Sequence, residues 1–319
     1  MAEYVHAGGV TASSSRFKSL WKRIWKHRFI YLLLLPAVIW FLTFCYYPMY
    51  GLLLAFKNFK YTKGIMGSPW VGFQWFERFL IDPSFWSVVF NTLIISLMKM
   101  AFCFPAPVLL ALMINAVRNN KFKRIIQTIS YMPHFVSWVV VAVILHKIFG
   151  PYGGFLNEIR MAIDPTAQSI YYMAQPKLFY WFVILSDVWK GVGWGTIIYL
   201  AALAGIDPAL YEAAAIDGAR PMQMTRHITL PSLYPTICIL FIMNMGNILN
   251  VGYEQLLLIS TTQTEHLAEV IDTYVIRRGL TNGSFSYATA IGMCKSVITL
   301  ILVVAVNGIS RKVSDISLW

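Results

Sequence analysis

Apolar residues in this chain fall in long uninterrupted blocks, not at helical or strand spacing. A helix needs about 20 mostly apolar residues to cross the hydrocarbon layer. Blocks of that size recur at Ile30–Met49, Phe85–Ala116, Gln127–Ile148, Tyr180–Ala204, Ser232–Gly252 and Phe285–Ile309. The second is long enough to include an interfacial entry segment before its span. No stretch alternates as the strands of a membrane barrel would. The expected fold class is therefore all-α, a polytopic bundle of six transmembrane helices.

The polar stretches between the blocks differ in character. Gly64, Gly67, Pro69 and Asp82-Pro83 punctuate the first loop, and the loop from Gly150 to Leu178 is also broken by Gly and Pro. Arg118–Arg124 is a short basic hinge. The segment from Tyr253 to Gly283 is polar, with room for a small amphipathic helix. No short-period repeat is visible.

Composition supports the membrane reading. The chain has 319 residues, 58% hydrophobic and 13% charged, with a mean hydropathy of +0.61. Soluble domains carry about 25% charged residues. A net charge of +12 raises the question of nucleic acid, but the basic residues sort by loop. With a cytoplasmic N-terminus, the inside holds Arg16, Lys18, Lys22, Arg23, Lys26, Arg28, Arg118, Lys121, Lys123, Arg124, Arg220, Arg226, Arg311 and Lys312. These outnumber Lys57, Lys60, Lys63, Arg78, Arg160, Lys177, Arg277 and Arg278 outside. Such a bias predicts both termini in the cytoplasm, and no nucleic-acid partner is expected.

Residues 1–28 are expected to form a cytoplasmic tail, and residues 29–319 the six-helix domain with a cytoplasmic loop at 205–231. Within the tail, Arg16–Arg28 is basic, with Phe17, Leu20, Trp21, Ile24 and Trp25 on one helical face. It suits an interfacial helix on anionic lipid or, equally, a simple positive stop signal. Cys45, Cys103, Cys238 and Cys294 all fall inside spans and show neither disulfide nor metal spacing. The first span reads as an uncleaved anchor.

The 205–231 loop is unusually organised for a connector. Asp207-Pro208 supplies a helix cap and a first-turn proline. Glu212-Ala213-Ala214-Ala215 gives that helix a charge and a low-relief face, and Gly218 after Asp217 is placed to end it in a left-handed conformation. Pro221 can start a second helix that stops before Leu230-Pro231. Small residues let a protein partner approach the backbone closely.

Glu212-Ala213-Ala214, Gly218, Ile228 and Leu230-Pro231 together resemble the coupling motif of permeases of binding-protein-dependent ABC importers, with no departure. Pro48, Asn91-Thr92, Pro133, Asp187–Trp194 and Ala202–Ile206 resemble the carbohydrate-uptake branch, and more narrowly the permeases for oligosaccharides and polysaccharides such as pectin fragments and alginate. The resemblance covers the chain from about Ile30 onward. It implies the type I importer permease fold, in the bacterial inner membrane, and a role as half of a translocation path. It implies as partners a second, homologous permease, two ATPase subunits and an extracytoplasmic solute-binding protein, besides membrane lipid. It implies that Glu212, Ala213, Ala214, Asp217 and Gly218 form the helix that couples to the ATPase.

Swinging such a bundle from one face to the other takes about 5.5 kcal/mol of differential binding. The chain has no phosphate-binding glycine loop followed by Lys and Ser or Thr. No cofactor is expected in this chain, and ATP and Mg²⁺ are expected on the partner ATPase subunits, so the subunit is not itself an enzyme.

Polar residues inside spans usually face a cavity or another helix. Asn244, Asn247 and Asn250 recur every three residues in the fifth block, with Tyr253 and Glu254 extending the stripe. They suit sugar hydroxyls, with interhelical hydrogen bonding as the alternative. Trp189 and Trp194 are candidates for stacking on sugar or for plain packing, and Gly191, Gly193 and Gly195 for close helix approach. Lys147 is expected to snorkel, and Lys190 to pair with Asp187 three residues earlier. Lys99 and Lys295 lie nearer mid-span. They are candidates for meeting uronate carboxylates, although contacts with backbone carbonyls or the second permease are preferred.

A permease for a non-sugar solute is the first alternative. A secondary transporter would carry more intramembrane acids and an inverted repeat. A channel would show a filter, and an intramembrane enzyme a positioned nucleophile–base set.

Overall fold

A computed structural model describes residues 25–314 of the chain. Residues 16–24 of the basic segment Arg16–Arg28 lie outside the described residues. Among those described there is no strand, only the isolated bridges Lys57–Trp70 and Lys60–Gly64. Four helices are long and apolar enough to cross a membrane: Arg28–Phe56, Phe85–Ala116, Pro221–Met245 and Phe285–Lys312. Counting each of two bent helix pairs as one span brings the number up to six.

The chain divides at residue 53 into two compact units. In the first, α1 (Arg28–Phe41) runs on through a π turn, Leu42–Tyr46. Every described residue from Trp25 to Tyr50 is exposed, as expected of side chains meant for lipid or another subunit.

The second unit holds the rest. Its helices are α2 (Gln74–Leu80), α3 (Phe85–Phe102), α4 (Pro105–Ala116), α5 (Asn120–Tyr131), α6 (Trp138–Phe149), α7 (Phe155–Ile163), α8 (Pro176–Ala204), α9 (Pro208–Ile216), α10 (Pro221–Met224), α11 (Leu230–Met245), α12 (Tyr253–Ile259), α13 (Ile271–Ile276) and α14 (Phe285–Ser314). Single helical turns occur at Gly64–Gly67 and Glu265–Ala268.

At 29 residues, α8 is about 43 Å long and forms the spine. Tyr199 and Leu203 on its second half pack with Val108, Ala111 and Leu233. Phe179 and Val183 on its first half pack with Ile95, Val251, Leu256 and Val270. Glycine brings the backbones together here. A Cβ on Gly193 would lie 1.9 Å from the Ser130 carbonyl oxygen of α5, and one on Gly195 would lie 2.8 Å from Pro107 Cγ.

Two expected spans are interrupted. The block Gln127–Ile148 is not one helix: α5 gives way to a 3₁₀ turn at Met132–Phe135, and α6 leaves at 101°. Pro133 lacks the N–H needed to continue the ladder, and Ser137 caps α6 by accepting from Val140 N. The block Ser232–Gly252 is helical only to Met245. Gly246–Gly252 is turn and irregular chain, closed by Gly252 at φ 83°.

On the side where α3 and α8 begin, the loops form a tied cap. Asp82 accepts from the Tyr274 hydroxyl at 2.8 Å and the Tyr287 hydroxyl at 3.0 Å, and from the Ser84 backbone at 2.9 Å. Arg278 stands 3.5 Å from the same carboxylate. Asn91 of α3 donates to the His266 and Glu269 carbonyls.

Candidate functional site

The interruption of the fifth span creates a polar cavity. Buried irregular backbone in a membrane must find partners within the protein or line an aqueous space, and Gly246–Gly252 does both. Ser96 of α3 donates to the Ile248 carbonyl at 2.7 Å, and Lys99 donates to the Val251 carbonyl at 2.9 Å. Beside these bonds lies a cavity of about 330 Å³. Its wall includes Lys99, Cys103, Trp138, Asp187, Asn244, Asn247, Asn250 and Gln255.

The three asparagines share this wall because their spacing winds slowly around α11 and its frayed end. All three are exposed, and Asn250 Nδ2 donates to Asn247 Oδ1 at 3.2 Å. Lys99 ion-pairs with Asp187 at 3.1 Å and donates to Gln255 Oε1 at 3.0 Å. Fully buried Gln255 donates to the Val183 carbonyl and to Ser186 Oγ. The expected Asp187–Lys190 pair does not form. Lys190 donates to the His134 carbonyl at 2.6 Å and lies over the Trp138 ring, at the break in the third span where carbonyls lack helical partners.

On the other side of Asn250 is a second cavity, of about 520 Å³, lined by Asp272, Lys295, Ser296 and Thr299. Lys295 ion-pairs with Asp272 and donates to Asn250 Oδ1 at 2.6 Å. Asn250 thus borders both cavities. Both mid-span lysines are neutralised by aspartates of this chain.

The candidate aromatics lie elsewhere. Trp194 stacks on the His134 ring at 4.5 Å, and Trp189 lines an apolar groove with Val141, Ile144, Phe149 and Phe182. Tyr253 is exposed at the start of α12 and does not line the cavity. Trp138 does, and sequence reading missed it together with Gln255 and Asp272. The positive-φ glycine three residues before Gln255 was the available signal of a buried turn.

At the far end of α8 stands an elbow. Asp207 caps α9 by accepting from Ala209 N at 2.9 Å. Gly218, at φ 77°, ends that helix, with its own N–H bonded to the Ala215 carbonyl and that of Ala219 to the Ala214 carbonyl. Glu212, Ala213, Asp217 and Gly218 are exposed and Ala214 is half-buried. Ile216 is 88% and Met222 78% exposed, so the elbow offers an apolar rim. Ala214, Asp217 and Gly218 also border a cleft of about 350 Å³. The second helix does not stop before Leu230-Pro231. It continues through a π turn at Thr225–Thr229 into α11, because the wider turn accommodates the missing N–H of Pro231.

A family model described as the binding-protein-dependent transport system inner membrane component matches residues 103–315. The chain belongs to this family. The permease is 41% identical to Protein LplB of Bacillus subtilis (strain 168), over 90% of each chain. It is 39% identical to the polygalacturonan/rhamnogalacturonan transport system permease protein YteP of the same organism, over 93% of this chain and 92% of that one. A chain in the crystal structure of a bacterial ABC transporter involved in import of the acidic polysaccharide alginate superposes with a TM-score of 0.85 at 40% identity, covering 93% of the permease and 99% of that chain. A second structure, of a bacterial alginate ABC transporter in complex with an alginate pentasaccharide-bound periplasmic protein, gives 0.84 at 39% identity, covering 94% and 99%. The fold is that of a type I importer permease, a multi-pass membrane protein.

Proposed function

We propose that the permease forms half of the translocation path for an oligosaccharide or polysaccharide, with uronate-containing glycans as the first class to test. The observation that carries this reading is the cavity at the broken fifth span, where Asn244, Asn247 and Asn250 present adjacent amides. Amides donate and accept at once, which matches the dense, chemically similar hydroxyls of a glycan. The similarity to subunits of an alginate importer and to a polygalacturonan/rhamnogalacturonan permease supports the same cargo class.

The remaining parts follow from what this chain lacks on its own. A second permease would complete the path, and the exposed surface of the described helices leaves room for it and for lipid. Two ATPase subunits would bind ATP and Mg²⁺ and receive the elbow at Glu212–Gly218, whose positive-φ glycine and small residues suit insertion into a cleft. A solute-binding protein would deliver glycan to the cap side. Both termini would then lie in the cytoplasm, as the basic loops favour, with the tail of residues 1–28 preceding the permease domain of residues 29–319.

The test is ATPase activity of the reconstituted assembly across a panel of neutral and uronate oligosaccharides. Stimulation by a particular glycan is expected. With the complex intact, no stimulation by any glycan removes sugar as the cargo.

A further inference from the structure

We propose that Lys99 and Asp187 are positioning residues that hold the unwound Gly246–Gly252 segment in place and so aim its asparagines at the cargo. The inference rests on the glycan-path reading for its last step only.

The unwound segment has left the helix ladder, and Val251 within it is buried, so that residue's carbonyl needs a donor from within the protein. Lys99 Nζ supplies a donor to Val251. The same ammonium donates to Gln255 Oε1 and faces Asp187. An ammonium has three donors, and all three have partners in this chain: the unwound segment, α12 and α8. None is spare for a glycan carboxylate.

Lys99 therefore acts through the segment. Its side chain is 18% exposed and that of Asp187 27%, so the pair sits in the cavity wall at the base of the asparagine stripe. Gln255 ties the arrangement to α8 through Val183 and Ser186. The result is one cationic knot joining α3, α8 and α12 across the break. Asp187 has a second role, since it balances a charge that the membrane interior would otherwise oppose. The lysine and aspartate belong together: either alone leaves an uncompensated charge, whereas removing both leaves a neutral wall with a carbonyl unserved.

The experiment uses the complete reconstituted transporter carrying Lys99→Met, Lys99→Arg or the double variant Lys99→Met/Asp187→Asn. The double variant keeps the test alive if the lone substitution fails to assemble, because it leaves no unpaired charge. Hydrogen–deuterium exchange is read at residues 246–256 without glycan, and glycan-stimulated ATPase is read in parallel. Expected is exchange about tenfold faster or more in Lys99→Met and in the double variant, with α9 unchanged. Glycan stimulation should fall in the same variants, and Lys99→Arg should restore both. Unchanged exchange at 246–256 overturns the proposal. Faster exchange with full glycan stimulation overturns it too, since the segment would then not need to be held. If the unmodified transporter responds to no glycan, the cargo reading falls and the exchange measurement alone decides whether Lys99 holds the segment.

Discussion

Gly191 and Gly193 lie two residues apart on α8 yet meet different surroundings, which makes them a matched pair for testing the packing. A Cβ on Gly193 would sit 1.9 Å from Ser130 O, 2.3 Å from Ser130 C and 2.9 Å from Tyr131 N, all backbone atoms. Backbone cannot rotate aside as a side chain can, so α5 and α8 must part by more than an ångström. Overpacking of this kind costs about 1–3 kcal/mol, occasionally more, and a clash with backbone belongs at the upper end. Gly191 has nothing within 4 Å of its added Cβ, and replacing a helical glycine by alanine gains about 0.5–1 kcal/mol. At roughly 1.5 °C per kcal/mol for a chain of 319 residues, Gly193→Ala should lower the apparent midpoint by about 4–5 °C. Gly191→Ala should raise it by ~1 °C. Thermal unfolding in detergent at one fixed scan rate gives the comparison, since such transitions are kinetically controlled. Equal shifts for the two variants would refute the close approach of α5 to α8.

Gly218→Val meets no neighbouring atom but forces a β-branched residue into a left-handed backbone, a conformation that costs an L residue about 1–2 kcal/mol. The variant should reach the membrane in normal amounts while ATP hydrolysis becomes uncoupled from uptake, and full glycan-driven uptake would count against docking at the elbow. Asp272→Asn leaves Lys295 a charge without its counterion, worth about 2.5–3.5 kcal/mol at mid-membrane on insertion scales. Its destabilisation, read by thermal unfolding, should shrink when Lys295→Met is added. Burial pushes the Asp82 carboxyl up, but bonds from Ser84, Tyr274 and Tyr287 and the nearby Arg278 outweigh it and hold the pKa below its ordinary value. That contribution to stability is present above the ordinary carboxylate pKa and is lost as pH falls through the lowered one. Exchange at residues 265–283 should therefore accelerate in acid, with a smaller acid response in Asp82→Asn.

The six apolar blocks were legible because insertion into lipid depends on summed hydrophobicity, which sequence carries directly. The breaks were not, because proline and glycine are common within membrane helices and only tertiary partners decide whether the ladder is interrupted. Pro133 broke its span where Ser137 could cap a new helix. Pro231 did not, because a π turn took up its missing bond. The asparagine stripe and the elbow were readable from local spacing: periodicity three in the first, a cap, three alanines and a glycine in the second. The partner of Asp187 was not readable. Lys190 has suitable helical spacing, yet the carbonyl at the Pro133 break takes it, and Lys99 from another helix takes the aspartate. Gln255 carries no signature beyond its nearness to Gly252.

The continuous helix from Pro221 to Met245, π turn included, has 25 residues and is therefore about 37 Å long. It begins at the elbow and ends where the chain unwinds beside Asn247 and Asn250. Helices resist bending far more than they resist tilting as a body, so this element behaves as a lever. A tilt of about 10° with the elbow end fixed carries the other end ~6 Å sideways, which is more than a hydrogen bond's reach. Beyond Met245 the helix ladder is gone, and Ser96 and Lys99 tie the chain to α3 instead. The same loss of helix that exposes polar amides to the cavity thus leaves the far end of this lever fastened by side chains of another helix.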